Sequence, residues 1–322
     1  MMIKKPILAL FVLLLSACGQ ESDKTRLTLA HTLDTRHVVH IAMEHMAERL
    51  AHYSGDTMEL VIYPGGQLGS ERELVELLQI GSLAMTKVSA SSLEGFVPEI
   101  KIFSLPYLIR DREHYWKVLN SDIGQSLLEK ARVARLKGMG YYDAGSRSFY
   151  TVDGPINSPD DLSGKKIRVL NSPTSMATVN ALGGAATPIN WGELYAALQQ
   201  GVVDGAENNP PSYYLSRHYE IARYYSLDEH TFVPDIILAS LPVWESLNPQ
   251  QQGWLSQAMA DSVEYQKALW QKASDEALAT VKKEGVIVTY PNKAAFQEKV
   301  AEFHQSFAGT PVGDQIIKIK NM

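Results

Sequence analysis

An arginine sits inside a short β-type run, Lys166-Ile167-Arg168-Val169-Leu170, that follows the turn residue Gly164. Apolar Ile167 and Val169 alternate there with Lys166, Arg168 and Leu170. A guanidinium keeps its charge and is costly to bury unpaired. Two chemistries satisfy it: a neighbouring protein carboxylate, or the anion of a bound solute. Its planar fork of donors matches a carboxylate through two parallel hydrogen bonds. Lys87 poses the same question in a second run, Leu83–Ser89, where it stands between Thr86 and Val88. Ser89 and Ser91 alternate with it, so the spacing predicts one polar face carrying all three.

Other reactive constellations are absent from the sequence. It has no His-Glu-x-x-His, no Cys-x-x-Cys, no phosphate loop ending in Gly-Lys-Ser/Thr and no Gly-x-Ser-x-Gly elbow. His37 and His40 stand three apart on a helical pattern, but no third metal ligand is near them in sequence. Asp160 and Asp161 fall at a helix start, where capping accounts for them. No catalytic residue, metal or cofactor is expected, and the chain reads as a binding protein rather than an enzyme. Glycosidase carboxylates have no local signature, so motifs alone leave an enzyme open.

The chain has 322 residues, 45% hydrophobic and 20% charged, which describes an ordinary globular protein of two domains or one large one. The formal net charge is −6 with no basic block, which excludes nucleic acid and anionic membrane surfaces as partners. A local pocket can still be positive. Lys4 and Lys5 precede the apolar run Ile7–Leu15. That is a secretory signal, too short for a membrane span. Its end, Leu15-Ser16-Ala17-Cys18-Gly19, resembles a bacterial lipobox. The resemblance implies removal of residues 1–17 and lipid on Cys18, with 18–25 as a polar tether. Cys18 is the one cysteine, so the mature chain is expected to hold no disulfide.

The elements that position these residues fall into two α/β blocks. A strand over Arg26–His31, a helix over His37–Ser54, a strand over Met58–Tyr63, a helix over Glu71–Ile80 and a strand over Leu83–Ser89 open the chain. That order predicts a largely parallel sheet with helices on its faces. The second block holds strands over Ser146–Val152, Lys166–Leu170 and Val202–Glu207, with helices between them. Ile236–Leu241 reads as a buried strand. Pro249–Glu284 carries the longest helical pattern, roughly 50 Å at 1.5 Å per residue, long enough to lie across both blocks. The expectation is an α/β clamp of two domains with mixed sheets. One domain takes residues 26–144 and 233–273, the other 145–232 and 274–322, and the ligand site lies between them.

Four blocks then resemble a known family: Pro64-Gly65-Gly66-Gln67-Leu68-Gly69-Ser70-Glu71-Arg72-Glu73, Phe103-Ser104-Leu105-Pro106-Tyr107-Leu108, the run Asp161–Val169, and the run Gly192–Gly205. They are similar to the substrate-binding subunits of TRAP transporters, the DctP family. The resemblance covers nearly the whole mature chain. It implies a periplasmic binding protein that hands a carboxylate-bearing solute to the small and large subunits of a sodium-driven permease. It implies that Arg168 anchors the carboxylate, that Arg147 lies near it, that Asn208 contacts the ligand and that Trp191 flanks it. His31, after the first strand, matches a position that often touches ligand. Glu71, Lys87 and Ser89 are expected to line the first-domain wall.

Sialic-acid binders of the family carry an arginine and acidic contacts where Ser89 and Ser92 stand here. The combination of Lys87, Trp191 and Asn208-Asn209-Pro210-Pro211 resembles instead the branch that binds hexuronates such as D-glucuronate or D-galacturonate. Other organic acids (aldonates, sialic acid, dicarboxylates), a role as a ligand-presenting sensor subunit and, most remote, a periplasmic enzyme on acidic sugars are the alternatives.

Overall fold

The structure is a computed structural model that describes residues 24–322. The expected signal at 1–17, Cys18 and most of the tether lie outside the described residues. In chain order the strands are β1 (Thr25–Ala30), β2 (Met58–Tyr63), β3 (Met85–Ser89), β4 (Leu136–Tyr142), β5 (Arg147–Thr151), β6 (Lys166–Val169), β7 (Ala185–Pro188), β8 (Gly205–Asn208), β9 (Tyr224–Thr231), β10 (Asp235–Ser240) and β11 (Ile287–Thr289). They form two sheets, with orders β2-β1-β3-β10-β4 and β11-β9-β5-β8-β6-β7. The sheets are mixed. β1 is parallel to β2 and β3, whereas β10 runs antiparallel to β3 and β4.

Local chemistry explains the helix boundaries. The helix Val38–Ser54 begins where His37 Nδ1 accepts from the Val39 N–H, and ends at Gly55 with φ of 57°. The helix Glu71–Gln79 starts in a reciprocal capping box of Ser70 and Glu73. That box aims the first residue, Glu71, at β3. Apolar residues cover both faces of each sheet. In the first lobe Leu29, Met43, Met46 and Leu255 pack on one face, and Val88, Phe103, Tyr115 and Leu238 on the other. In the second lobe Tyr150 and Tyr213 pack on one face, with Phe149, Ile167, Val169 and Phe296 opposite.

The sheets are joined where β4 passes into β5 and where β9 passes into β10. In the first sheet Asp235 pairs with Tyr142, and in the second Arg147 pairs with Thr231, so the two linkers run side by side. The third connection is the helix Pro249–Lys283, with 35 residues. Its Leu255 and Met259 belong to the first core and its Val281 to the second. At mid-length its buried Gln266 clamps the first linker. Gln266 Oε1 accepts from the Asp143 N–H at 2.8 Å, and its Nε2 donates to the Asp143 carbonyl at 2.8 Å.

Gly145 follows at φ of 57° against the same helix, and a Cβ there would stand 2.9 Å from Trp270 Nε1. Gly145→Ala is therefore expected to lower stability by about 1 kcal/mol or more from the positive φ alone, with the Trp270 contact adding to it. A lowered urea midpoint at unchanged slope is the outcome that checks this.

Three features differ from expectation. The terminal helix Pro311–Lys320 was expected in the second domain with the rest of 274–322. Instead its Ile316 and Ile319 pack into the first lobe's core, and the Ile319 carbonyl accepts from His114 Nε2 at 3.0 Å. A short amphipathic helix carries no sequence signal for which core it closes. β7 and β9 show no apolar alternation. β7 is a half-exposed edge strand, and the buried face of β9 is polar, with Ser226, Asp228 and His230 pointing inward. Third, β3 ends at Ser89, and Ser91 turns into the helix Ala90–Leu93. Ser91 is buried against Ser104 Oγ at 2.8 Å rather than sharing a cleft face with Lys87.

Candidate functional site

Strand alternation puts Ile167 and Val169 into the second core and turns Arg168 to the opposite face of β6. There its guanidinium is 1% exposed. Nε donates to the Ile189 carbonyl at 2.8 Å. Nη1 is buried, and no protein acceptor among the described residues takes its hydrogens. Burial pulls the Arg168 pKa down from its ordinary value. The guanidinium lies 5.6 Å from the Trp191 ring centroid, near enough for a cation–π contact. Arg168 and Trp191 line a cavity of about 230 Å³ with Glu71, Ser92, Asn171 and Asn190.

A second cavity, about 40 Å³, is lined by Lys87, Ser89, Arg147, Asn208 and Asp235, and it shares Glu71, Leu170 and Trp191 with the first. Seven of the eight expected ligand residues therefore line these two cavities. A larger groove of about 470 Å³ at the C-terminal segment, lined by Val300, His304, Ile316 and Ile317, shares no residue with them.

Arg147 differs from Arg168 in having a protein partner. Its Nε and Nη2 pair with both oxygens of Glu207, and Nη2 also donates to the Glu207 carbonyl at 2.8 Å. Nη1 donates to Asn208 Oδ1 at 3.0 Å. Asn208 Oδ1 also accepts from the Asn209 N–H, so the amide is held with Nδ2 as its remaining donor. Glu207 and Asn208 are neighbours on β8, which lies against β5 because Gly205 has no side chain. A Cβ there would stand 2.4 Å from the Tyr150 carbonyl oxygen.

Behind this pair, His230 Nδ1 meets Asp228 Oδ2 at 2.8 Å and His230 Nε2 faces Glu207 at 3.6 Å. Tyr107 donates to the same Asp228 oxygen at 3.1 Å. Burial alone would raise the Glu207 pKa, but the Arg147 charge overrides it and holds the value at about 2. Burial likewise opposes the charge on His230, and Asp228 overrides it, raising that pKa to about 9.

In the first lobe, Lys87 Nζ donates to Glu71 Oε1 at 3.0 Å and to Asp235 Oδ1 at 3.2 Å. Glu71 also accepts from the Ser89 N–H and from Ser92 Oγ. Its oxygens are all engaged, and its pKa is lowered against the effect of burial. Asp235 has only Lys87, and burial wins there, so its pKa is raised. Ser89 keeps its hydroxyl free of side-chain capping. His31 lines neither cavity. Its Nδ1 accepts from the Leu33 N–H at 3.1 Å, so Nε2 carries the proton and donates to His40 Nδ1 at 2.9 Å. Both ring nitrogens are thus engaged within the protein. Burial, then the Lys87 charge, lowers the His31 pKa to about 2, and the ring is neutral.

Asp235 and Glu207 were not anticipated. Asp235 directly precedes the strand expected over Ile236–Leu241. Glu207 was read only as a strand end. The signal available for both was the one that singled out Arg168, a charge at the margin of a buried run.

The lobes also meet through Glu94 and the start of the helix Pro173–Ala181. Glu94 Oε2 accepts from Ser172 Oγ at 2.5 Å and from the Thr174 N–H at 3.2 Å, while Oε1 accepts from Thr174 Oγ1 at 2.7 Å. A carboxylate at a helix N-terminus satisfies its free N–H groups and its dipole. Glu94 is contributed by the first lobe and the helix by the second.

Residues 29–310 match the model of the DctP family, described as bacterial extracellular solute-binding protein, family 7. A Salmonella typhimurium protein named YiiZ, described as uncharacterized, is 38% identical over 94% of this chain and 93% of its own length. A TRAP periplasmic solute-binding protein from Bradyrhizobium sp. BTAi1, solved with galacturonate, is 36% identical with a TM-score of 0.89. The match covers 92% of this chain and 100% of that one. One from Pseudomonas putida F1 with bound D-glucuronate is 32% identical with a TM-score of 0.89, covering 92% and 97%. The Bradyrhizobium and Pseudomonas proteins are solute-binding proteins of transporters, not enzymes. With two mixed sheets, a helix spanning both lobes and a charged cleft between them, the chain belongs to family 7 of the bacterial extracellular solute-binding proteins, the DctP family.

Proposed function

We propose that this protein captures a hexuronate, D-glucuronate or D-galacturonate, and delivers it to the small and large membrane subunits of a sodium-driven TRAP transporter. The observation that carries the reading is Arg168, a buried guanidinium whose Nη1 has no protein acceptor and which lines a cavity under Trp191. A ligand carboxylate supplies the missing acceptor through charge-assisted hydrogen bonds. Trp191 covers the apolar face of the sugar ring. Asn208 Nδ2, which faces the smaller cavity, donates to an oxygen of the solute there. Lys87, Ser89 and Glu71 receive the hydroxyls. Arg147 acts as a positioning residue that orients Asn208, and His31 braces the cleft wall through His40. The hexuronates bound by the Bradyrhizobium and Pseudomonas relatives support the choice of solute. Secretion to the periplasm and anchoring through lipid on Cys18 complete the proposal.

The capture step is closure of the two lobes about their side-by-side linkers. The Glu94 contact forms only when the lobes meet, so it stabilises the closed, loaded form. Glu94→Ala is expected to weaken solute binding by about tenfold, mainly through faster release. Calorimetry together with stopped-flow release rates checks this, and an unchanged release rate counts against it.

A thermal-shift screen of hexuronates, aldonates, dicarboxylates and sialic acid tests the function. Ligand at a hundred times its dissociation constant stabilises by about 2.7 kcal/mol, an evident shift. A shift with glucuronate or galacturonate is expected. A shift confined to another acid overturns the choice of solute.

A further inference from the structure

We propose that the cleft selects acids bearing a single carboxylate, and that Asp235, acting with Glu71 around Lys87, excludes a second one. The inference rests on the reading of Arg168 as the carboxylate anchor. It follows from matching each buried cation of the site with its protein partners. Arg147 is matched by Glu207. Lys87 is matched twice, by Glu71 and by Asp235. Among the described residues, only Arg168 of these three cations has no protein carboxylate. One end of the cleft therefore needs an anion, and the other already holds two anions around one cation.

The free valence at the crowded end has a definite sign. Lys87 Nζ goes to Asp235 Oδ1, and among the described residues no donor reaches Oδ2. Asp235 lines the 40 Å³ cavity beside Ser89 and Asn208. Its unpaired oxygen is an acceptor that a solute hydroxyl satisfies by donating. A solute carboxylate has no proton to give. Placed there it would meet two protein carboxylates at short range, a like-charge arrangement that acts against the wrong partner. Neighbouring strands fix this geometry, since Asp235 pairs with Ser89 across β10 and β3 and Lys87 lies two residues away on the same strand. The chemical class admitted is a polyhydroxylated monocarboxylate. The class rejected is its dicarboxylate counterpart, in which a second carbon is oxidised.

Calorimetry on the purified mature protein tests this with matched pairs. Galacturonate is set against galactarate. Galactonate against galactarate, both open chains, separates charge from ring shape. The wild type is expected to bind the monocarboxylate of each pair at least roughly 100-fold more tightly. Asp235→Asn keeps the size and removes the charge. It is expected to narrow the ratio by roughly tenfold, with folding verified by thermal melting. Binding of galactarate within threefold of its partner by the wild type overturns the inference without using any variant. So does a folded Asp235→Asn protein with an unchanged ratio. If the wild type binds galactonate but neither hexuronate, the solute reading fails while the single-carboxylate rule is still decided by the open-chain pair. If it binds only dicarboxylates, both fail.

Discussion

Arg168→Met is expected to abolish solute binding while raising the unfolding temperature of the ligand-free protein. The two effects have one cause. Arg168 holds its charge in a buried position with a single backbone acceptor on Nε and none for Nη1. An unpaired buried charge is a standing penalty. An unbranched apolar side chain of similar length removes that penalty and fills much of the same space. The bound carboxylate, by contrast, loses its charge-assisted hydrogen bonds. These contribute roughly 1.5–3 kcal/mol each, so loss of two weakens binding by about 10² to 10⁴-fold. Calorimetry and differential scanning on the same preparation check both halves. A variant that loses binding and also melts lower would show that Arg168 serves the fold instead. Arg168→Lys separates charge from shape. A point charge lacks the planar fork, so binding should fall even though the cation is retained.

The second large effect concerns the network behind the cleft. Glu207→Leu is expected to destabilise the protein by about 3–5 kcal/mol, the cost of breaking a buried pair from one side. Its removal leaves Arg147 without its carboxylate and His230 with one fewer negative neighbour. Adding Arg147→Met to Glu207→Leu should restore much of the loss, because the stranded charge goes with it. Urea unfolding of both single variants and the double variant measures this coupling. Simple additivity would sink the network argument.

The same residues set a pH profile. Glu207 is held at about 2 when folded and titrates near 4.5 when unfolded. Its contribution is complete above pH 4.5 and is lost as pH falls toward 2. His230 is raised to about 9 from 6.5. Its contribution is complete below pH 6.5 and is lost as pH rises through 9. The contribution of Glu207 and His230 is therefore level between about pH 4.5 and 6.5, whereas the buried neutral rings of His31, His37 and His218, with pKa values lowered to about 2, 3 and 3, make total stability fall as pH drops below 6.5. Glu207→Leu should make the acid limb shallower below about pH 4.5 and weaken the alkaline one, since it removes the first group and one neighbour of the second. Unfolding midpoints measured from pH 3 to 10 decide it. Identical limbs in wild type and variant would refute the assignment.

Arg147 and Arg168 show where sequence stops. Both are arginines on short strands of the same sheet, and the DctP resemblance places both near the ligand. Periodicity located the strands because alternation is a local property. Charge on a buried strand marked Arg168 because burying an unpaired cation is costly whatever surrounds it. The caps at Ser70 and Gly55 and the 35-residue helix were legible for the same reason, since their causes lie within a few residues of their effects. What separates the two arginines is not local. Strand β8 delivers Glu207 to Arg147 from 60 residues away and delivers no carboxylate to Arg168. Asp235 reaches Lys87 from 148 residues away in the same manner, and His40 takes Nε2 of His31, a residue expected to touch the solute. Local pattern located most of the elements but not the polar strands β7 and β9, and the motif blocks marked the family and the one suspicious cation. Only the tertiary structure decided which cations are already neutralised, because pairing depends on strand order and register between segments far apart along the chain.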